Sequence, residues 1–483
     1  VITMYFAGLD IGTTGCKLVL YDEQGKLIRS AYREYEVSRK SGLHEIDVLT
    51  VWESVKTVIQ ETADPETAAI AVTSFGETFT ILDENDQPIA PSMLYTDPRG
   101  SGECNALSEH FGVDALSYKT GTKPHEMYSI AKLMWIKKHL PEVFQKAHAI
   151  LLMQDYIVYM LSGVRQIDYS LAARTACFDI EKKRWDKDIL NFAEIPEKLF
   201  SAPVPTGTPA GKILPGLAEE LGLSENTVIV SGSHDQIAAM TGAGICSNDQ
   251  VMDGTGTVEC VPVLFPEIPH DPKLFACGYS FAPHWNGQYA CYVLSYTGGA
   301  TLKWFRDQFS ELSYRELDRL VSENPSDLLI LPHFAGAATP YMDSSSKAAI
   351  LGLTFEHTKM DLYRALMEGT AFEIAVNLEI LKGNGLSPKS VAATGGGARS
   401  DIWLQIKADV LGLPVTALDC EEIGGAGTAW LAGRALGIYD ASTLLAKPRK
   451  SFAPDPKRHA YYREQFQKYR KIYPAIKEVL EDE

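Results

Sequence analysis

Two short segments carry the residue types that phosphate chemistry asks for. In YFAGLDIGTTGCKLVLYD, which opens at Tyr5, an apolar run ends in Asp10, Ile11, Gly12, Thr13 and Thr14. In VMDGTGTVECVPVLF, which opens at Val251, another ends in Asp253, Gly254, Thr255, Gly256 and Thr257. A tight turn of glycine and threonine offers backbone N–H groups and hydroxyls to phosphate oxygens, and an adjoining carboxylate can hold a divalent cation against them. Either turn alone reads as an ordinary strand connection. Their repetition makes the chain look internally duplicated, with one phosphate clip in each half.

Two further loops have the same kind of placement. An apolar run at residues 227–231 leads into Gly232, Ser233, His234, Asp235 and Gln236. Residues at the carboxyl ends of strands in α/β sheets face the ligand crevice, so Asp235 reads either as a chemical group or as the N-cap of the helix that follows. The strand Ser390–Thr394 meets Gly395, Gly396, Gly397, Ala398 and Arg399 before a helix begins near Ser400. Glycines crowded between a strand and a helix let backbone approach a nucleotide closely.

The elements that must position these residues follow from periodicity. Residues 5–9, 17–21 and 27–36 form a three-stranded meander. A helix is expected over Val48–Thr62, then a continuous apolar strand at residues 68–73, buried on both faces. Another helix covers Ser129–His139 and stops before Pro141. The second half repeats a meander after Gly242 to Gly244, and carries a strand at residues 328–331. A long helix opens on the capping pattern Thr358, Lys359, Met360, Asp361. Residues 457–483 are expected to form a charged amphipathic helix with Tyr461, Tyr462, Phe466, Tyr469 and Tyr473, packed across a domain surface.

With 483 residues the chain exceeds what one core usually supports, so two domains are expected. A net charge of −17, with no basic stripe, argues against a nucleic-acid surface. Eight cysteines without a C-x-x-C pair read as reduced thiols of a cytoplasmic protein. No signal peptide and no apolar stretch able to span a bilayer is apparent, so no membrane partner is expected.

On these motifs the sequence resembles the FGGY family of carbohydrate kinases along essentially its whole length. MYSIAKLMWIKKH (127–139) fits the family's first pattern, through Ser129, Lys132, Leu133, Trp135 and His139. AAILGLTFEHTKMDLYRALME (348–368) fits the second, through Gly352, Asp361 and Ala365, with Leu366 as a departure. The resemblance implies an α/β fold of two ribonuclease-H-like domains, of the actin, hexokinase and Hsp70 type, with ATP and sugar in the cleft between them. It places an N-terminal sugar-binding domain at 1–244, a C-terminal nucleotide-binding domain at 245–440 and a helical tail at 441–483. Asp10 would help place Mg²⁺, and Thr13, Thr14 and Lys17 would meet the terminal phosphates. From the other domain, Gly254, Thr255, Gly256, Gly299 and Lys303 would meet the nucleotide. Gly396, Gly397, Ala398 and Asp401 would bound the adenosine. Asp235 matches the catalytic base, with Gln236 beside it.

The acceptor pocket departs from better-known relatives. Xylulokinase-like members tend to have Met-His after the strand that ends near Thr73, and glycerol kinases Arg-Glu-Thr; this chain has Gly76, Glu77 and Thr78. Glycine in place of the arginine removes a fork of donors and is expected to leave room for an acceptor bulkier than glycerol. Glu77 would accept from sugar hydroxyls, or cap a local turn. Asp97 and Arg99 in YTDPRG match a segment beside the acceptor. TGTKPHEM (120–127), followed by Tyr128, is a stretch more like gluconate kinases through His125 and Met127, where His125 either donates to the acceptor or simply packs.

The leading expectation is an ATP-dependent kinase of a small sugar, a pentulose such as xylulose ahead of gluconate, other ketoses and polyols. An actin- or chaperone-like binding module would not need a base and an acceptor pocket together, so Glu77, Asp97 and Asp235 speak against it. The expected partners are therefore the sugar and ATP, and a homodimer is one assembly the chain could form.

Overall fold

The first apolar run forms β1 (Tyr5–Ile11), antiparallel to β2 (Gly15–Asp22), which is antiparallel to β3 (Leu27–Glu34) in a computed structural model that describes residues 3–480. α1 (Val48–Thr62) starts where the Asp47 side chain accepts from Leu49 N, and buries Val48, Val51, Trp52, Val55, Val58 and Ile59 along one stripe. It leads to β4 (Thr67–Ser74), parallel to β1 and buried along nearly all its length, as expected of a strand covered on both faces. β5 (Thr208–Lys212) and β6 (Val228–His234) complete a six-stranded sheet in the order β5-β6-β4-β1-β2-β3. β6 is parallel to β4, and β5 is an antiparallel edge.

The second sheet repeats the plan. β7 (Gln250–Thr255) is antiparallel to β8 (Val263–Phe265) and parallel to β9 (Ser390–Thr394). β9 is parallel to β10 (Val415–Asp419), which is antiparallel to β11 (Lys447–Phe452). From β2 through β1, β4 and β6 to β5, and from β8 through β7, β9 and β10 to β11, the strand directions are the same. The repeated Asp turns therefore close equivalent strands of two similar sheets.

Two compact units result, and they do not follow the chain linearly. The first comprises Val1–Gly244, Phe281–Tyr289 and Glu422–Leu445, and the second Ile245–Ser280, Ala290–Glu421 and Ala446–Glu483. The helix that follows β6 is α2 (Asp235–Gly242), and α3 (Ile423–Ala435) packs beside it in the first unit. A Cβ on Gly242 would fall 2.1 Å from Ile423 O, and one on Gly427 would fall 1.8 Å from Ala238 O. Only glycine permits so close an approach of two helix backbones. Gly242 is thus a packing residue.

In the second unit the helices Lys359–Lys382 and Asp401–Leu411 share a core with the tail residues Tyr462, Tyr469 and Ile472. The tail is two helices, Pro456–Tyr469 and Ile472–Leu480, and its last three residues lie outside those described. Pro474 accounts for the break, because it has no N–H and its ring would clash with the carbonyl four residues earlier in a continuous helix. Four of the eight cysteines, Cys16, Cys104, Cys177 and Cys291, are buried. Among the described residues no helix is long and apolar enough to cross a membrane.

Candidate active site

In the first unit the carboxyl ends of three adjacent parallel strands, β1, β4 and β6, lie side by side. Asp10 pairs in register with Thr73, and His234 with Ser74, so Asp10, the Gly76–Glu77 turn and Asp235 emerge along one edge. Neighbouring strands stand about 4.8 Å apart, which puts these groups within reach of one small molecule.

Asp235 is the first residue of α2; the N-cap position belongs to His234, and no side chain caps the helix. The expected alternative role for Asp235, as an N-cap, is therefore not what is found. Its Oδ1 is buried with no hydrogen-bond partner, although His234 Nε2 lies 3.1 Å away outside hydrogen-bonding geometry. Even so, 39% of the side chain remains accessible. Burial pushes this carboxyl up to about 6, against the opposing pull of Arg174 and the Gln236 backbone N–H. His234 is uncharged, because burial and Arg174 hold its imidazole down to about 3. Gln236 is half-buried beside it.

Asp10 ends β1 with Oδ1 buried and without a hydrogen-bond partner. Burial, joined by the charges of Asp235 and Glu422 and opposed by Lys17, pushes its carboxyl up to about 7. Lys17 is ion-paired with Glu422, at the start of α3, an acid absent from the sequence-based site. In the turn Thr13 is half-buried and Thr14 exposed, with Gly12 N donating to Gly15 O at 2.8 Å. Among the described residues no three His, Cys, Asp or Glu side chains group as a metal cage. The donor set does fit Mg²⁺, which takes one or two carboxylates and completes its shell with water and phosphate oxygens; Asp10 Oδ1 is the orphaned acceptor for it.

The acceptor region differs from its expectation at Gly76. The space beside Gly76 is not open: a Cβ there would lie 3.0 Å from Arg174 Cγ and 3.3 Å from Arg174 Nε. A guanidinium is present after all, delivered from a distant segment. Arg174 Nε donates to Glu77 Oε1 at 2.6 Å, so Glu77 does not cap a turn. Tyr128 is buried beneath the guanidinium, its ring centre 5.2 Å away.

Asp97 and Arg99 are tied to each other. Asp97 is 1% exposed and accepts from Arg99 Nε at 2.8 Å and from His44 N at 2.8 Å, while Arg99 also reaches Glu45 at 2.6 Å. Lys132 donates to Asp97 O at 2.7 Å and Arg99 O at 3.0 Å, which fixes the segment. These bonds describe a brace more than a sugar contact. The His125 side chain is exposed, with Nδ1 accepting from the N–H of half-buried Met127 at 3.0 Å.

In the second unit an open cavity of about 1210 Å³ is lined by Thr255, Gly256, Gly299, Lys303, Gly396, Gly397 and Asp401. Tyr314, Arg315, Tyr363, Trp403 and Arg449 add aromatic faces and cations to its wall, none of which stood out in the sequence. Gly254 and Ala398 are not among the wall residues; Ala398 O accepts from Arg449 at 2.9 Å. Asp401 is held by Arg449 at 3.0 Å and Lys450 at 2.7 Å, and Lys303 is ion-paired with Asp307 on its own helix.

The second Asp turn has diverged from the first. Lys407, 1% exposed, donates to Asp253 Oδ2 at 2.6 Å, Thr255 Oγ1 at 2.7 Å and Glu259 Oε1 at 2.7 Å. An internal ammonium occupies the place where a cation was expected, so Asp253 is a structural acid.

Against known proteins, the model of the FGGY family of carbohydrate kinases matches here through its N-terminal domain at residues 5–242 and its C-terminal domain at residues 256–436. The chain is 28% identical to a xylulose kinase of Bacillus subtilis (strain 168) over 98% of both chains. It is 26% identical to a gluconokinase of Bacillus licheniformis over 98% of this chain and 95% of the other. The solved structure of a ligand-bound xylulose kinase from Lactobacillus acidophilus superposes with a TM-score of 0.89 at 26% identity, covering 98% of both chains. A two-domain fold, paired Asp turns and family matches over both halves thus agree: this chain belongs to the FGGY family of carbohydrate kinases, and is a sugar kinase that uses ATP.

Proposed function

We propose that this kinase transfers the γ-phosphoryl group of ATP to a hydroxyl of a pentulose such as xylulose. The observation that carries the reading is Asp235, a carboxylate at the carboxyl edge of the sheet with an unpartnered buried oxygen and an accessible face. In this reading Asp235 accepts the proton of the attacking hydroxyl as that oxygen bonds to phosphorus and the bond from phosphorus to the ADP oxygen breaks. Gln236 and Glu77 orient the sugar over Tyr128. Thr13, Thr14 and Lys17 supply donors to the terminal phosphates. Thr255, Gly256, Gly299 and Lys303 would meet the nucleotide in the cavity of the second unit, with Gly396, Gly397 and Asp401 on the adenosine side. Asp10 would hold Mg²⁺, which when bound neutralises phosphate charge.

The pentulose is favoured by the similarity to xylulose kinases. Gluconate is the second reading, favoured by the 120–127 segment and by the gluconokinase relative. An ADP-release screen of pentuloses, hexuloses, aldonates and polyols at matched concentration tests both. Turnover with none of them would overturn the reading.

A further inference from the structure

Arg174 lies against both Gly76 and Glu77. It caps the C-terminal end of the short helix Tyr169–Ala173. Asp168 anchors the start of that helix by accepting from Ser170 N and Leu171 N, and Ser170 Oγ accepts from His234 N at 2.8 Å. The helix is thereby fixed to the end of β6, where Asp235 begins. From there the Arg174 stem fills the space over Gly76 and its guanidinium meets Glu77 and Tyr128. Glu77 takes a left-handed backbone, φ 70°, to present its carboxylate. A non-glycine residue in that region is strained by about 1 kcal/mol or more, and it persists only where surrounding contacts fix it.

We infer that Arg174 and Glu77 together select the acceptor, and that as a charge-neutral pair they favour an uncharged polyhydroxy sugar over an aldonate. A hydroxyl can donate to the carboxylate and accept from the guanidinium at once. An aldonate carboxylate gains little from a guanidinium already matched by Glu77, and it is repelled by Glu77 and Asp235. No compensating charge comes from the imidazole nearby, since His234 is neutral. The inference rests on the kinase reading and narrows its substrate class.

The test uses the full-length protein with D-xylulose and D-gluconate as probes. Binding is measured by calorimetry and turnover by ADP release, for wild type, Glu77→Gln and Arg174→Lys, with thermal melting as the check on folding. Wild type should bind xylulose at least about tenfold more tightly than gluconate, a margin of about 1.4 kcal/mol. Glu77→Gln leaves the guanidinium unmatched and should move that ratio toward gluconate by about tenfold. Arg174→Lys keeps the charge but loses the planar fork, and should raise the KM for xylulose about tenfold with a smaller change in kcat. Equal or tighter gluconate binding by wild type overturns the inference, as does a ratio unmoved in both folded variants. A wild type that binds xylulose selectively but transfers no phosphoryl group would strike the kinase reading and leave the pair standing. One that prefers gluconate in turnover would do the reverse.

Discussion

Asp235 combines burial of one oxygen with access to the other face, and a carboxyl raised to about 6 is a stronger base than an ordinary aspartate while still ionised at neutral pH. Asp235→Asn keeps the shape and removes proton acceptance. Turnover should fall by about 10²–10⁴, with sugar affinity nearly unchanged by calorimetry; a variant within a few-fold of wild type would remove Asp235 from the base role. The acid limb of the pH profile follows from the same group. A base works ionised, so kcat/KM should hold above about pH 6 and decline as pH falls through it. The residual activity of the Asn variant should lack that limb; an unchanged limb would assign the titration to another acid, Asp10 first. Asp10, Thr13, Lys17 and Asp235 were legible in the sequence because each sits in a motif at a strand end. Arg174, Glu422 and Lys407 were not, because each meets its partner only through contacts far apart in the chain, and none lies in a recognisable turn. The open space expected at Gly76 failed for the same reason: a glycine records that something approaches closely, and not what approaches.

At the scale of elements, local chemistry fixed much of the arrangement. Val48–Thr62, Ser129–His139 and Ser390–Thr394 have the bounds that periodicity and capping indicate, and Thr358 with Asp361 forms the expected capping box. Strand ends were less legible. β6 continues past Ser231 to His234 through a register shift that brings His234 opposite Ser74, a partner no local pattern reveals. The repeated turns look alike in sequence, yet the helix Asp401–Leu411 drives Lys407 beneath the second and leaves the first open. That ammonium has two buried carboxylates for partners, and Glu259 Oε2 has no hydrogen bond at all. Lys407→Met should therefore leave Asp253 and Glu259 uncompensated and cost about 3–5 kcal/mol in chemical denaturation. Loss of less than about 1 kcal/mol would mean that the two acids are protonated or hydrated without the lysine, and that Thr255 is held by other contacts.

At the scale of the whole molecule, sequence reading divided the chain at residue 244 in a straight line, whereas the compact units interleave. The first unit takes back residues 422–445 from the far end of the chain. The reason lies in small residues. A Cβ on Gly8 of β1 would meet Gly425 O at 2.3 Å and Ala429 N at 2.5 Å, so α3 rests directly on the sheet, while Gly427 lets it pass equally close to α2. Glycine and alanine in IGGAGTAWLAGRA read as a plain apolar helix, and nothing in that run says which sheet it covers. A fragment of residues 1–244 lacks this helix and exposes the apolar face of β1 beneath it, as well as the backbone of α2. Burial of the helix residues Ala426, Ala429, Leu431 and Ala432, all 0% exposed, is lost with it. At about 25 cal/mol per Å² of apolar surface, one missing helix face removes several kcal/mol, comparable with the whole stability margin of a domain. The 1–244 fragment should accordingly show no cooperative thermal unfolding and should be cut rapidly by protease within β1 to β4. Adding a peptide of residues 422–445 in trans should restore protection there. A fragment that melts cooperatively near the temperature of the full chain, with or without the peptide, would mean that α3 adds little to the first unit and that the linear boundary is the one that folding follows.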